Sequence, residues 1–325
     1  MSARPSRIPD QKKERIVLIM KNEGKKLLRE VARHRELYLL FLPVAAFYII
    51  FCYYPMYGVT LAFKDYNIKQ GIMGSSWVGF VHFTELFKTV KFTQVLRNTL
   101  VISFLKILFC FPAPVLVAVM FNEMRGKKYK TVLQTLMYLP HFISWVIMAK
   151  LVQDILSIDG GIVNRFIELF GGTPKSFTLD PDAFYAILIC SEIVKEVGWG
   201  TIIYTAALAG VPSELYEAAE VDGCTRFKKI VHITIPCIGM TITIMFIMTL
   251  GNIMNAGFDS IFNLYNSAVY STADIIDTYV YRIGLTKGLF EKATAVGLFK
   301  SVINFILLMG SNVIVKKLTG AGIYE

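Results

Sequence analysis

Residues 217–236 read Glu-Ala-Ala-Glu-Val-Asp-Gly-Cys-Thr-Arg-Phe-Lys-Lys-Ile-Val-His-Ile-Thr-Ile-Pro, a polar, helix-forming stretch broken once by glycine. Apolar runs flank it at 183–209 and 235–256, and each is long enough to cross a bilayer, which takes roughly 20 mostly apolar residues. A connector this ordered between two spans reads as a docking element for another protein on one side of a membrane.

Four more apolar windows lie at 37–62, 98–121, 132–156 and 295–315. With 54% hydrophobic and only 18% charged residues in 325, the chain is neither disordered nor an ordinary soluble domain. Backbone amides in hydrocarbon must be satisfied within the segment, so the spans are helices. The fold expected is all-α and integral to the membrane, with six transmembrane helices. The first 36 residues are basic, and the apolar run Ile16 to Met20 is too short for the core of a secretory signal, so the first span is expected to stay as an anchor.

Lys and Arg set the orientation. Eleven lie between Arg4 and Arg35, four at Arg125, Lys127, Lys128 and Lys130, three at Arg226, Lys228 and Lys229, and two at Lys316 and Lys317. The opposite connectors are longer and hold nine: Lys64, Lys69, Lys88, Lys91, Arg165, Lys175, Arg282, Lys287 and Lys292. Both termini are therefore expected in the cytoplasm. The net charge of +10 then reflects topology and contact with anionic membrane lipid, with no nucleic acid as partner. The five cysteines, Cys52, Cys110, Cys190, Cys224 and Cys237, lack metal-ligand spacing and read as reduced packing residues.

The chain divides into a basic arm (1–36) with an interfacial helix expected around Ile16 to Val31, a first span with its outer segment (37–94), a core (95–316) containing the connector 210–236, and a tail (317–325). Tyr48, Phe51, Tyr53, Tyr54 and Tyr57 form an aromatic belt at the outer end of the first span. Pro112 and Pro114 should kink the second span and Pro140 the third. A helix is expected over 273–283. In the connector, Ser213 is a candidate N-cap, with Glu214 and Glu217 in the first turn, where carboxylates suit the helix dipole. Ala218 and Ala219 permit close approach, Gly223 can end the helix with a positive φ, Thr225 can cap a second short helix, and Pro236 opens span five.

Glu217-Ala218-Ala219, three residues, Gly223, nine residues, Ile233, one residue, Ile235 and Pro236 resemble the "EAA" motif of permease subunits of binding-protein-dependent ABC importers of type I. The family has Leu where Ile235 stands. Asp222 and the run Val211 to Tyr216 resemble the carbohydrate-uptake branch, and Asp277 to Arg282 with Lys316 to Gly320 resemble permeases for complex oligosaccharides or polysaccharides. The likeness covers about 95–316. It implies a bacterial cytoplasmic-membrane protein that translocates oligosaccharides. Its partners would be a second homologous permease, two cytoplasmic ABC ATPase subunits and an extracellular solute-binding protein that meets outer segments 63–96 and 257–294. Glu217, Ala218, Ala219, Asp222, Gly223, Ile233 and Pro236 would couple the chain to the ATPase. The sequence contains no phosphate-binding Gly-x-x-x-x-Gly-Lys-Ser/Thr loop, so ATP and Mg would be bound by the partner, with no cofactor and no enzymatic activity in this chain.

Span four carries Glu192, Lys195 and Glu196 near its middle, with Trp199 continuing at helical spacing. Ionisable groups at that depth face a cavity or a partner. Either they line a sugar pathway, or Glu192 and Lys195, three apart, pair to stabilise packing. Asn252 and Asn255 could line a cavity from span five. Lys106 and Lys300 are expected to snorkel toward outer ends, and Lys150 and Asp154 to pair. His34, His82, His141 and His232 do not cluster, and no catalytic or metal constellation appears. The rival readings are an ion-coupled secondary transporter using the charges of span four, a membrane enzyme acting on lipid-linked sugars, and an ABC permease for a non-sugar solute.

Overall fold

A computed structural model describes residues 33–319. The helix expected around Ile16 to Val31 and the tail beyond Thr319 lie outside the described residues. The chain forms two compact units, one ending at Thr60 and one beginning at Leu61.

Helix α1 (Arg35–Phe63) is long and apolar enough to span a membrane. Its belt residues Tyr48, Phe51, Tyr53, Tyr54 and Tyr57 are all exposed. The second unit opens with a two-stranded antiparallel ribbon, β1 (Lys64–Asp65) and β2 (Ser76–Trp77), with Lys64 opposite Trp77. Next come α2 (Val81–Lys88), α3 (Val90–Glu123), α4 (Lys127–Phe142), α5 (Trp145–Leu156) and α6 (Ile162–Leu169). They are followed by α7 (Pro181–Ala209), α8 (Ser213–Val221), α9 (Arg226–Cys237), α10 (Gly239–Gly251), α11 (Phe258–Leu264), α12 (Ile276–Tyr281) and α13 (Phe290–Thr319).

Among the described residues α1, α3 and most of α13 can span by length and apolar composition, and the count rises to five if each bent pair, α4 with α5 and α9 with α10, is one span. The windows at 132–156 and 235–256 are thus broken rather than straight. Pro140 draws Leu139–Phe142 into a 3-10 turn and Ile143 is extended, so α4 and α5 meet at 103°. Pro236 does not open a straight fifth span, because the chain leaves helical geometry at Ile238 and α9 and α10 meet at 62°. Helix α7 has 29 residues, enough to span at about 1.5 Å each, but Glu192, Lys195 and Glu196 dilute its apolar character.

Proline also explains three of the four π-helical turns among the described residues, the exception being Arg282–Thr286. π-helical turns at Tyr48–Tyr53, Lys106–Cys110 and Ile230–Thr234 each precede a proline, namely Pro55, Pro112 and Pro236. A helical proline lacks an N–H and its ring collides with the carbonyl four residues back, which lies inside the π turn in each case. Widening the turn moves that carbonyl aside and keeps the helix continuous.

Three apolar clusters hold the second unit. Phe92 and Val95 of α3 pack with Ile276, Ile283 and Val296. Ile102 packs with Phe184, Leu188, Ile261 and Ile275. Ala118 packs with Tyr204, Leu208 and Ile238. Polar ties fix the stretch 271–276 onto α3: Asn98 Nδ2 donates to the Ser271 and Asp274 carbonyls at 2.9 and 3.1 Å, and Ile276 N–H donates to Thr99 Oγ1 at 2.9 Å. The helix expected over 273–283 is cut at Asp274, which is extended. Its fully buried carboxylate accepts from Thr278 Oγ1 at 2.9 Å and Arg282 at 2.5 Å, with Lys91 at 3.3 Å.

Candidate functional site

The connector folds as two short helices. Helix α8 starts after Pro212, so Ser213 is its first helical residue rather than its N-cap, and no side chain caps it. At the other end Asp222 is the C-cap and Gly223 has φ +70. Gly223 N–H donates to the Glu220 carbonyl at 3.1 Å and Cys224 N–H to the Ala219 carbonyl at 2.9 Å. This paired closure is a Schellman motif, which requires a left-handed residue and hence favours glycine. Thr225 Oγ1 then caps α9 by accepting from Lys228 N–H at 3.4 Å. Lys229 reaches back to Glu220 at 2.6 Å, and that hydrogen bond followed by the lysine charge lowers the Glu220 carboxyl below its usual range.

Glu217, Ala218, Asp222, Gly223 and Pro236 are exposed, Ile233 is half-buried and Ala219 is turned inward. Ala218 is therefore the member of the alanine pair available to a partner. Val221 and Phe227 are 90% and 75% exposed, a strong apolar display for a polar loop. Tyr216 Oη lies 3.2 Å from Thr234 Oγ1 and ties α8 to α9.

The membrane charges are paired differently from their sequence spacing. Glu192 faces Lys106 of α3 at 3.0 Å rather than Lys195. Lys195 donates to Glu196 at 2.8 Å and to the His141 carbonyl at 2.9 Å. That carbonyl is free to accept because the Pro140 break removes its place in a continuous helix. Glu196 bonds His141 Nδ1 at 2.7 Å, and the His141 ring stacks on Trp199 with centroids 4.4 Å apart. Lys195 also lies 5.4 Å from the Trp145 ring centre. Glu196, Lys195 and Trp199 thus come together with His141, whereas Glu192 belongs to a separate pair.

Lys106 and Lys300 do not snorkel: Lys106 holds Glu192, and Lys300 holds Asp277 at 2.5 Å. Lys150 and Asp154 pair at 2.7 Å. Spacing could not reveal Lys106 and His141 as partners of the α7 carboxylates, since they sit on other helices. The one available signal was a lysine inside an apolar window and a histidine beside a helix-breaking proline.

Asn252 and Asn255 lie in the turn after α10 and are bonded to each other at 3.0 Å. They line a cavity of about 350 Å3 whose other wall is Ser103, Lys106 and Ile107 of α3. All five cysteines are free.

The profile of the family described as "binding-protein-dependent transport system inner membrane component" matches residues 110–320. The chain is 42% identical over 313 residues to protein LplB of Bacillus subtilis (strain 168), covering 96% of this chain and 98% of that one. It is also 42% identical to the polygalacturonan/rhamnogalacturonan transport system permease protein YteP of the same organism, covering 95% of this chain and 96% of the relative. Among solved structures it resembles a chain of a bacterial alginate ABC transporter in complex with an alginate pentasaccharide-bound periplasmic protein, with a TM-score of 0.85, 40% identity, and coverage of 92% of this chain and 100% of that one. This multi-pass membrane chain belongs to the binding-protein-dependent transport system inner membrane component family.

Proposed function

We propose that this chain is the permease subunit of an ATP-driven importer, and that it carries oligosaccharides or polysaccharide fragments delivered by an extracellular solute-binding protein. The observation that carries this is the α8–α9 connector: a glycine-closed pair of short helices that exposes Glu217, Ala218, Val221 and Phe227. Similarity along nearly the whole chain to YteP, named for polygalacturonan and rhamnogalacturonan transport, supports the saccharide cargo.

In this reading the connector seats in a cytoplasmic ATPase subunit. Glu217 makes charge-assisted contacts there, Ala218 allows close approach, and Asp222 and Gly223 set the turn. Ala219, Ile233 and Pro236 hold the two helices in their relation. Two ATPases bind ATP and Mg, and their closure moves this chain and a second permease between inward- and outward-facing states. Helix α7 counts as a span, giving six with both termini cytoplasmic, because its charges are met inside the protein. Glu192, Lys195, Glu196, Trp199, Asn252 and Asn255 border the pathway. An ion relay is disfavoured, since the α7 charges are engaged by Lys106 and His141.

Proteoliposomes containing the complete transporter test this. Glu217→Lys and Gly223→Pro should reduce ATP-dependent uptake at least about tenfold, while the chain remains in the membrane fraction. Uptake at the wild-type rate in both variants would refute the coupling role.

A further inference from the structure

Helix α6 is amphipathic in the reverse sense of a helix packed on a protein core. Ile162, Phe166 and Leu169 recur at helical spacing, and Phe170 follows with its ring centre 4.9 Å from that of Phe166. All four are open, from 64% exposed at Phe166 to 82% at Leu169. The residue on the opposite side is polar and buried: Asn164 is 1% exposed. Its Nδ2 donates to the carbonyls of Leu156 at 3.3 Å, Ser157 at 2.9 Å and Lys175 at 3.0 Å, and its Oδ1 accepts from Lys175 N–H at 2.9 Å. Helix α5 ends at Leu156, so Asn164 supplies donors to carbonyls that a helix C-terminus leaves over. Gly161 completes the clamp. A Cβ there would stand 2.4 Å from the Ser157 carbonyl oxygen and 2.7 Å from that of Ile155, so the start of α6 lies directly on the α5 backbone. Eight residues are too few for a helix to sustain itself. The polar side holds α6 in place, and its apolar side is left over.

We propose that α6 is an interfacial anchor, with Ile162, Phe166, Leu169 and Phe170 seated among the phospholipids around the end of α5, at the boundary between headgroups and acyl chains. The clamp argues for this occupant. Helix α5 is the second half of a bent pair long and apolar enough to span, and Asn164 and Gly161 bring α6 within hydrogen-bond distance of its end. That puts α6 at the level where a span leaves the bilayer. Only five residues separate the two helices, and the exposed apolar surface is continuous in sequence with Ile155 and Ile158 at the end of α5. The stripe itself carries no hydrogen-bonding side chain, while Arg165 and Glu168 lie on its flank and far side, where headgroups and water are met. A delivering binding protein leaves in every cycle and would return four large apolar side chains to water each time, whereas the bilayer covers them throughout. An anchor clamped to α5 fixes the depth of that end of the bent pair. The inference goes beyond the importer reading and requires only that α5 ends at a membrane surface.

Photocapture in the complete transporter tests this, in proteoliposomes of phosphatidylethanolamine and phosphatidylglycerol with the solute-binding protein present. The photoreactive residue p-benzoylphenylalanine is introduced singly at Phe166, at Leu169 and, as the control on the polar side, at Glu168. All three side chains are exposed, so the probe displaces no packed neighbour. After irradiation, mass spectrometry should find the mass of one phospholipid added at Phe166 and at Leu169, and about fivefold less of that adduct at Glu168. Capture of the binding protein or of a second permease chain at Phe166 and Leu169 would overturn the proposal in favour of a protein contact. Recovery of both peptides without an adduct would leave the stripe in water and overturn it equally, as would equal lipid capture at all three positions. Photocapture needs no transport, so a transporter that takes up no oligosaccharide in ATP-loaded proteoliposomes strikes the importer reading and leaves this result standing.

Discussion

Gly198 admits no side chain: a Cβ there would fall on the Met137 carbonyl oxygen, so α7 and α4 touch backbone to backbone. Gly198→Val should cost about 3 kcal/mol or more through overpacking and lower the detergent melting temperature of the transporter. Asp274 makes the reverse case, since its buried carboxylate gathers Thr278, Arg282 and Lys91. Asp274→Ala leaves two partly exposed cations unpaired and should destabilise by about 3 kcal/mol, measurable in the same melting assay, with Asp274→Asn milder because Thr278 keeps an acceptor. The role of Gly223 was legible in the sequence, because a helix stop needs a residue tolerant of positive φ. The burden on Gly198 was not, because the atom it makes room for belongs to a residue 61 positions earlier.

The α8–α9 connector is fastened by Glu220 and Lys229. The Glu220 carboxyl titrates lower in the folded loop than its ordinary 4.5, mainly through the Lys229 hydrogen bond. Its contribution is therefore fully present above that ordinary value and fades as pH falls through the depressed one. The fastening should be constant from pH 8 down to about 5. Carboxyl 13C NMR of glutamate-labelled protein, with Glu220→Gln assigning the resonance, should give a midpoint below 4.5. The connector's existence, its glycine break and the Thr225 cap were readable from residue order, since all three depend on contacts within a few positions. The burial of Ala219 was not, because it is set by packing rather than by residue order, and Ser213 begins α8 because Pro212 occupies the N-cap position. The bend at Ile143 is signalled by Pro140, whereas the bend at Ile238 departs from the expectation that Pro236 opens a straight fifth span.

At the scale of the molecule, orientation is the open consequence of the charge distribution. Reporter fusions after Thr319 and within 64–80 should report cytoplasmic and external locations respectively. A fusion within 213–229 should read cytoplasmic, and the opposite pattern would remove the connector from any ATPase. The membrane class, the apolar windows apart from their breaks, and the two-helix connector follow from the sequence alone, because they depend on composition over about 20 residues or on local motifs. The polar interior of the core needed the tertiary structure. Only folding brings Lys106 to Glu192, His141 to Glu196 and Trp199, and Ser103 to the asparagine turn. Within apolar helices a charge finds its partner on another helix, at a distance along the chain that no periodicity encodes, and the low dielectric around it makes that partner obligatory.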